Sequence, residues 1–167
     1  MCGISFYYSM KSEYRGEMDE SLARTKHRGP DFTGTEYYIS ENNYIGLGHN
    51  RLSIIDTSDA GNQPMIRSHL TIIFNGEIFN FIALRDQLIE KGYEFTSHSD
   101  TEVILAAFEE LGVASFAKLK GMFSFVLFDS RDNKLFIVRD TIGIKPIYLY
   151  QDKDSVFGCS EIKGLKA

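Results

Sequence analysis

The residues with the clearest chemical potential are the first four, Met1-Cys2-Gly3-Ile4. Once an initiator methionine is removed, Cys2 carries a thiol and a free α-amine on one residue. A thiol titrates near ~8.5 and an α-amine near ~7.7 to 8.0, so part of the amine is neutral at physiological pH and can take the thiol proton, directly or through one water. An N-terminal threonine nucleophile uses its own amine in the same way. Gly3 leaves room for a substrate against the backbone. The competing reading makes Cys2 a small apolar residue that opens a strand, because free cysteines are usually buried and inert.

Three further stretches carry groups that could serve such a nucleophile. In Asn75-Gly76-Glu77-Ile78-Phe79-Asn80, an Asn-Gly pair between apolar runs is a strong type I′ hairpin signal. If the segment instead leads from a strand into a helix, backbone and side-chain amides point outward, as an oxyanion site requires. His49 and Arg51 alternate in GHNRLSIID and share one face of a predicted strand, with Leu52 and Ile54 on the other. A lone strand arginine is most simply an edge residue that meets solvent or a carboxylate. Ser99-Asp100-Thr101-Glu102 has the spacing of a capping box, which places Asp100 in a helix first turn where the dipole favours a carboxylate.

The elements that must position these groups follow from periodicity. Gly3 to Met10 reads as a strand, Glu17 to Lys26 as a short helix, and His27 to Asp31 as its Gly-Pro stop, with Arg28 exposed. Strands are predicted at Glu36 to Ser40 and Tyr44 to Leu47, joined by a turn at Glu41-Asn42-Asn43, and at Gly48 to Asp56, followed by a loop from Thr57 to Pro64. Leu70 to Phe74 is apolar throughout, so it should be buried on both faces. Asn80 to Lys91 reads as a helix capped by Asn80 with Ile82, Leu84, Leu88 and Ile89 inward. Tyr93 to Thr96 is a short predicted strand, and a helix capped by Ser99 runs to about Leu111. Gly121 to Asp129 turns Phe123, Phe125 and Leu127 to one side and Val126 and Phe128 to the other, and Lys134 to Arg139 returns antiparallel. Ile147 to Tyr150 and Ser155 to Phe157 are strands, and Ser160 starts a helical turn. Many strands with two firm helices indicate an α+β layered domain.

At 167 residues, 43% hydrophobic, the chain is sized for one domain with a full core. A net charge of -5 without a basic cluster argues against nucleic acid or acidic membranes as partners. Charged residues from Lys11 onward exclude a signal peptide, and uncharged stretches such as Ser68 to Gly76 fall far short of the ~20 residues of a membrane helix. With two cysteines, no glycosylation sequon and no secretion signal, reduced thiols in a cytoplasm are expected.

Taken together, Cys2-Gly3-Ile4, HRGPD from His27, GHNRLSIID from Gly48, NQPM from Asn62, NGEIFN from Asn75, SDTEVIL from Ser99, GMFSFVLFD from Gly121, RDTIGIKP from Arg139 and SEIKGL from Ser160 resemble one family. It is the glutaminase domain of glutamine-hydrolysing asparagine synthetase, a class II glutamine amidotransferase of the N-terminal-nucleophile hydrolase type. The resemblance covers essentially the whole chain. It implies a four-layer αββα sandwich of two antiparallel sheets. It also implies that Cys2 attacks the side-chain amide of glutamine to form a thioester and release ammonia, with Asn75 and Gly76 as the oxyanion hole. Arg51 would hold the α-carboxylate and Glu77 and Asp100 the α-ammonium, while Leu52, Ser53, Ile54 and Ile55 would line the pocket. Phe79, Thr141-Ile142 and Gly164 depart from commoner family residues without touching this chemistry.

The resemblance further implies that residues 1–167 form the amidotransferase domain alone. No cofactor is expected in it, and no metal site. ATP and Mg²⁺ belong to a synthetase domain or subunit absent from this chain, which would be its partner, and a homodimer is compatible. Neither a Gly-x-x-x-x-Gly-Lys nor a Ser-Gly-Gly-x-Asp-Ser stretch occurs in the sequence. The expected function is glutamine hydrolysis that supplies ammonia for asparagine synthesis. Two alternatives stay open: the same glutaminase feeding a sugar or another carboxylate, and a silent glutamine-binding domain if Met1 is retained.

Overall fold

The computed structural model describes residues 1–40 and 43–166. In chain order the elements are β1 (Gly3–Ser9), α1 (Arg15–Thr25), β2 (Phe32–Ser40), β3 (Asn43–Arg51), β4 (Met65–Arg67), β5 (Leu70–Ile78), α2 (Phe81–Glu90), α3 (Asp100–Leu111), β6 (Gly121–Asp129), β7 (Lys134–Arg139), β8 (Tyr148–Gln151) and β9 (Ser155–Cys159). Short 3-10 turns lie at Lys26–Arg28, Asp59–Gly61, Gly112–Lys118 and Ile162–Lys166.

The strands form a five-stranded sheet ordered β2-β3-β1-β9-β8 and a four-stranded sheet ordered β4-β5-β6-β7, antiparallel throughout. The two faces of β6 explain the layering. Val126 and Phe128 meet Ile4, Phe6, Ile45 and Leu47 of the other sheet, whereas Phe123, Phe125 and Leu127 pack under Ile104, Leu105 and Phe108 of α3. On the far side, Met18 and Leu22 of α1 cover Tyr7. Each large apolar side chain so removed from water contributes roughly 1.5–3 kcal/mol. The αββα sandwich implied by the family resemblance is therefore the architecture found, and it is an α+β layered domain as the strand and helix pattern indicated.

Several expectations need correction. The strands predicted at Tyr44 to Leu47 and Gly48 to Asp56 are one strand, β3, which ends at Arg51. Its neighbours run out there, because Asn50 pairs with Gly3 and Arg51 with Phe32, the first residues of β1 and β2. Residues 52–56 therefore form a loop, and Leu52 and Ile54 share no strand face. Of the turn expected at 41–43, Glu41 and Asn42 lie outside the described residues, while Asn43 opens β3.

Tyr93 to Thr96 is not a strand. Its rings pack on Leu88 and Val103, and the N–H groups of Thr96 and Ser97 donate to Glu102 rather than to a neighbouring strand. Ser99 does cap α3 by accepting from Thr101 N–H, but Glu102 closes this upstream loop instead of the reciprocal half of a capping box. In α2, Leu84 and Leu88 face inward with Phe81, while Ile82 and Ile89 are 62% and 51% exposed. Asn80 flanks α2 without capping it, because its amide spans Lys118 O and Lys120 N.

Candidate active site

Cys2 sits just ahead of β1, at the end of the inter-sheet layer. Its Sγ accepts from Leu52 N–H at 3.4 Å and lies 3.7 Å from Leu52 O. Arg28 Nε donates to Cys2 O at 2.8 Å and its Nη1 to Glu161 at 2.9 Å. Ser160 holds the next turn of chain by exchanging hydrogen bonds with the N–H and C=O of Ile4. Arg28 is thus not the exposed residue expected from its Gly-Pro neighbourhood, since its side chain is only 9% exposed. Burial alone would push Glu161 upward, but hydrogen bonds from Arg28, Lys163 and His27 outweigh it and hold the carboxyl at about 2, ionised at any working pH. The signal for this brace was present only as two separate motifs, HRGPD and SEIKGL.

A cleft of about 180 Å³ opens beside the thiol, lined by Met1, Cys2, Arg51, Leu52, Ile54, Ile55, Asn75, Gly76, Glu77, Asp100, Met122 and Lys145 among others. Burial pushes the Cys2 thiol above its ordinary value, against the opposing Leu52 N–H and the positive charges of the N-terminus, Arg51 and Arg28. Burial therefore favours the thiol over the thiolate, so a nucleophilic role for it would need a base. Of the residues expected to line the pocket, Ser53 does not: its N–H is directed to Asp31 at 2.8 Å, which fastens the loop from outside.

The hairpin reading of Asn75-Gly76 fails, because β5 runs straight through it, pairing Asn75 with Ser124 and Gly76 with Phe123. Side chains alternate along β5, so Asn75 and Glu77 follow Ile73 into the inter-sheet side. β4 covers β5 only as far as Ile72, which leaves an edge beyond it. Phe74 N–H at this edge donates to Gln63 Oε1 at 2.6 Å, and Phe74 O meets His49 Nε2 at 3.0 Å. Ile78 N–H donates to Asp100 Oδ2 at 2.9 Å. By ladder alternation Gly76 N–H faces the same edge, and it meets no acceptor side chain among the described residues. A Cβ at Gly76 would come within 2.2 Å of Met122 O and 2.6 Å of Phe123 Cα, so only glycine lets β6 lie this close. Asn75 is 1% exposed, and its Nδ2 is buried without a partner. Two amide donors thus line the cleft beside a thiol with no acceptor of their own.

Arg51 departs from its simple reading as an edge residue. It is 6% exposed and forms no ion pair with a carboxylate among the described residues. Its Nη1 donates to Ser58 O at 2.8 Å and Asn62 Oδ1 at 2.7 Å, and its Nη2 to Asp56 O. The loop that supplies these carbonyls is pinned by the Asp56 carboxylate, which accepts from Ser58 and from His98 N–H. Neutral acceptors orient the guanidinium, and the Asp56 carboxylate feels its charge without forming a direct ion pair. Across the cleft, burial pushes Asp100 up to about 6, opposed by Ile78 N–H and reinforced by the nearby Glu77 charge. The cleft therefore presents a cation and a carboxylate pair, neither of which forms a direct ion pair among the described residues.

Residues 1–167 match the sequence pattern of the glutamine amidotransferase domain family. The chain belongs to this family. It is 35% identical over 184 residues to a putative glutamine-hydrolysing asparagine synthetase of Methanocaldococcus jannaschii, covering 100% of this chain and 35% of that protein. It is 45% identical over 141 residues to glutamine-hydrolysing asparagine synthetase 1 of Bacillus subtilis, covering 83% of this chain and 22% of that protein. The amidotransferase domain therefore spans about a third or less of the length of these relatives. The glutamine phosphoribosylpyrophosphate amidotransferase of B. subtilis superposes with a TM-score of 0.82 at 20% identity, over 99% of this chain and 43% of that one, so the two share this fold. Within this fold, Gly164 explains itself locally. A Cβ there would meet Cys159 Sγ at 2.3 Å, so any larger residue would have to displace the buried Cys159.

Proposed function

We propose that this amidotransferase domain hydrolyses glutamine at Cys2. The observation that carries the reading is the buried, unpartnered Asn75 Nδ2 on the wall of the cleft that holds the thiol. The Cys2 α-amine takes the thiol proton as Sγ attacks the side-chain carbonyl, and Asn75 Nδ2 and Gly76 N–H receive the resulting oxyanion. The protonated amine passes its proton to the leaving nitrogen, so ammonia departs and a γ-glutamyl thioester remains. Water, deprotonated by the same amine, then cleaves the thioester to glutamate. Arg51 takes the substrate α-carboxylate, and Glu77 and Asp100 take its α-ammonium. The two charged ends of a free amino acid thereby meet groups of opposite charge in the cleft.

The relatives' names support a wider role. In a full-length protein the ammonia would reach a β-aspartyl-adenylate formed with ATP and Mg²⁺ by a synthetase domain or subunit, giving asparagine in the cytoplasm. In the protein beginning at Cys2, residues 2–167 should convert glutamine to equal amounts of glutamate and ammonia, and form no asparagine when aspartate, ATP and Mg²⁺ are added. Chromatography of the amino acids reads both. Absence of glutamate would sink the glutaminase reading, and asparagine would sink the division of labour.

Asp100 makes the binding step pH-dependent. Only its ionised form attracts an ammonium, and its carboxyl is held at about 6. The KM for glutamine should therefore rise as pH falls through about 6, approaching roughly tenfold per pH unit below that. Asp100→Asn should raise KM at neutral pH and flatten this dependence. A parental KM for Asp100→Asn would show that the carboxylate serves Ile78 N–H alone.

A further inference from the structure

Behind Asn75 lies a small polar layer that the chemistry above leaves unused. Ser124 stands directly opposite Asn75 on β6, so their side chains share one face. His49 approaches β5 from the other sheet, with Nε2 3.0 Å from the carbonyl of Phe74, the residue before Asn75. His49 and Ser124 are fully buried. Along their strands they follow Leu47 and precede Val126, both in the inter-sheet core, so a polar patch interrupts an otherwise apolar layer next to the cleft.

Three of the four buried, unpartnered side-chain atoms among the described residues are His49 Nδ1, Asn75 Nδ2 and Ser124 Oγ. Such orphans are rare in proteins and costly to leave unmade, so three together call for a reason. Their hydrogen-bonding capacities are complementary. Burial holds His49 down to about 3, so the ring is neutral with a single N–H. That N–H is committed to Phe74 O, because a carbonyl can only accept, and Nδ1 is left as a lone pair. Ser124 can donate its hydroxyl proton to that lone pair and accept an N–H through its own oxygen. The Asn75 amide has two N–H groups and needs one for an oxyanion.

We propose that Ser124 and His49 are positioning residues for the oxyanion hole, joined as Asn75 Nδ2–H to Ser124 Oγ–H to His49 Nδ1 when substrate is bound. The chain ends at His49 Nε2–H on Phe74 O, so both the carboxamide and the peptide that carries it are tied to one imidazole. Catalytic hydrogen bonds often tighten only in the substrate complex, where the developing charge draws the amide forward. One N–H of Asn75 fixed by Ser124 aims the other at the substrate oxygen. This inference rests on the glutaminase reading and on Asn75 as an oxyanion donor.

The test is a double-mutant cycle in protein that begins at Cys2. Ser124→Ala should lower kcat for glutamine about tenfold and leave KM within about twofold, because the interaction matters in the transition state. Ser124→Thr, which keeps the hydroxyl, should recover most of the loss. In an Asn75→Ala background Ser124→Ala should do nothing further, a non-additivity that general loosening of the sheet does not produce. Thermal melting checks folding, and if Ser124→Ala melts early, Ser124→Cys carries the same expectation with the volume restored. A parental kcat for the folded Ser124 variant, or the same tenfold loss with Asn75 already absent, overturns the proposal. If Asn75→Ala itself keeps the parental kcat, the oxyanion assignment fails first and takes this inference with it.

Discussion

Cys2→Ala is expected to lose glutamine hydrolysis by on the order of 10⁴-fold or more, the scale on which removal of a covalent nucleophile acts. No other thiol can replace it: Cys159 is fully buried on the far side of the sheet, where its sulfur packs 3.3 Å from Ser5 Oγ. The substitution should leave the fold intact, since the Cys2 thiol makes only long contacts with Leu52 and is half-buried. Glutamine binding should survive as well, because the groups proposed to recognise it are Arg51, Glu77 and Asp100. Calorimetry with the inactive variant would measure a near-parental affinity. Turnover comparable to the parent, with the substitution verified by mass, would remove Cys2 from the mechanism.

A preparation that keeps Met1 should be slower than one starting at Cys2 by about 10²- to 10⁴-fold, the usual worth of a positioned general base. Two observations make the effect large. Burial raises the Cys2 thiol, so spontaneous ionisation supplies little thiolate, and with Met1 in place the Cys2 nitrogen is an amide with no lone pair to offer. Met1 also lines the cleft, with its Sδ 3.2 Å from Lys145 Nζ, and so occupies space a substrate would use. The comparison needs two preparations distinguished by intact mass, with glutamate release followed under single-turnover conditions. Equal rates would mean that a group other than the α-amine accepts the proton. The same experiment decides whether a Met1-retaining chain is the silent glutamine-binding domain.

Local chemistry was legible from residue order alone. The period-two pattern of Gly121 to Asp129 announced a strand covered on both sides, and β6 is one, with Val126 and Phe128 between the sheets and Phe125 and Leu127 beneath α3. Ser99 advertised its cap, and Cys2 its paired thiol and amine. Motif order carried the family, which no single periodicity could have done. The reading of Asn75-Gly76 was split, because turn propensity and strand continuation make opposite use of the same two residues. Pairing with Ser124 and Phe123 settled it, since a ladder of hydrogen bonds outweighs a local turn preference.

What sequence determined by itself was the set of reactive groups, the β-rich layering and the faces of the strongly patterned strands. These depend on neighbours a few residues away, where side-chain spacing and backbone geometry are fixed by covalent structure. The tertiary structure alone decided that Arg28 is buried to hold Cys2 O against Glu161, a partner 133 residues away, and that β3 stops at Arg51 because β1 and β2 begin opposite it. It alone turned Ile82 and Ile89 to solvent and Ser53 away from the cleft. It also left Gly76 N–H open at a sheet edge whose other amides are taken by Gln63 and Asp100. Each of these outcomes rests on which groups meet across the fold. A buried donor or charge finds its partner by strand register and sheet packing, not by its position along the chain.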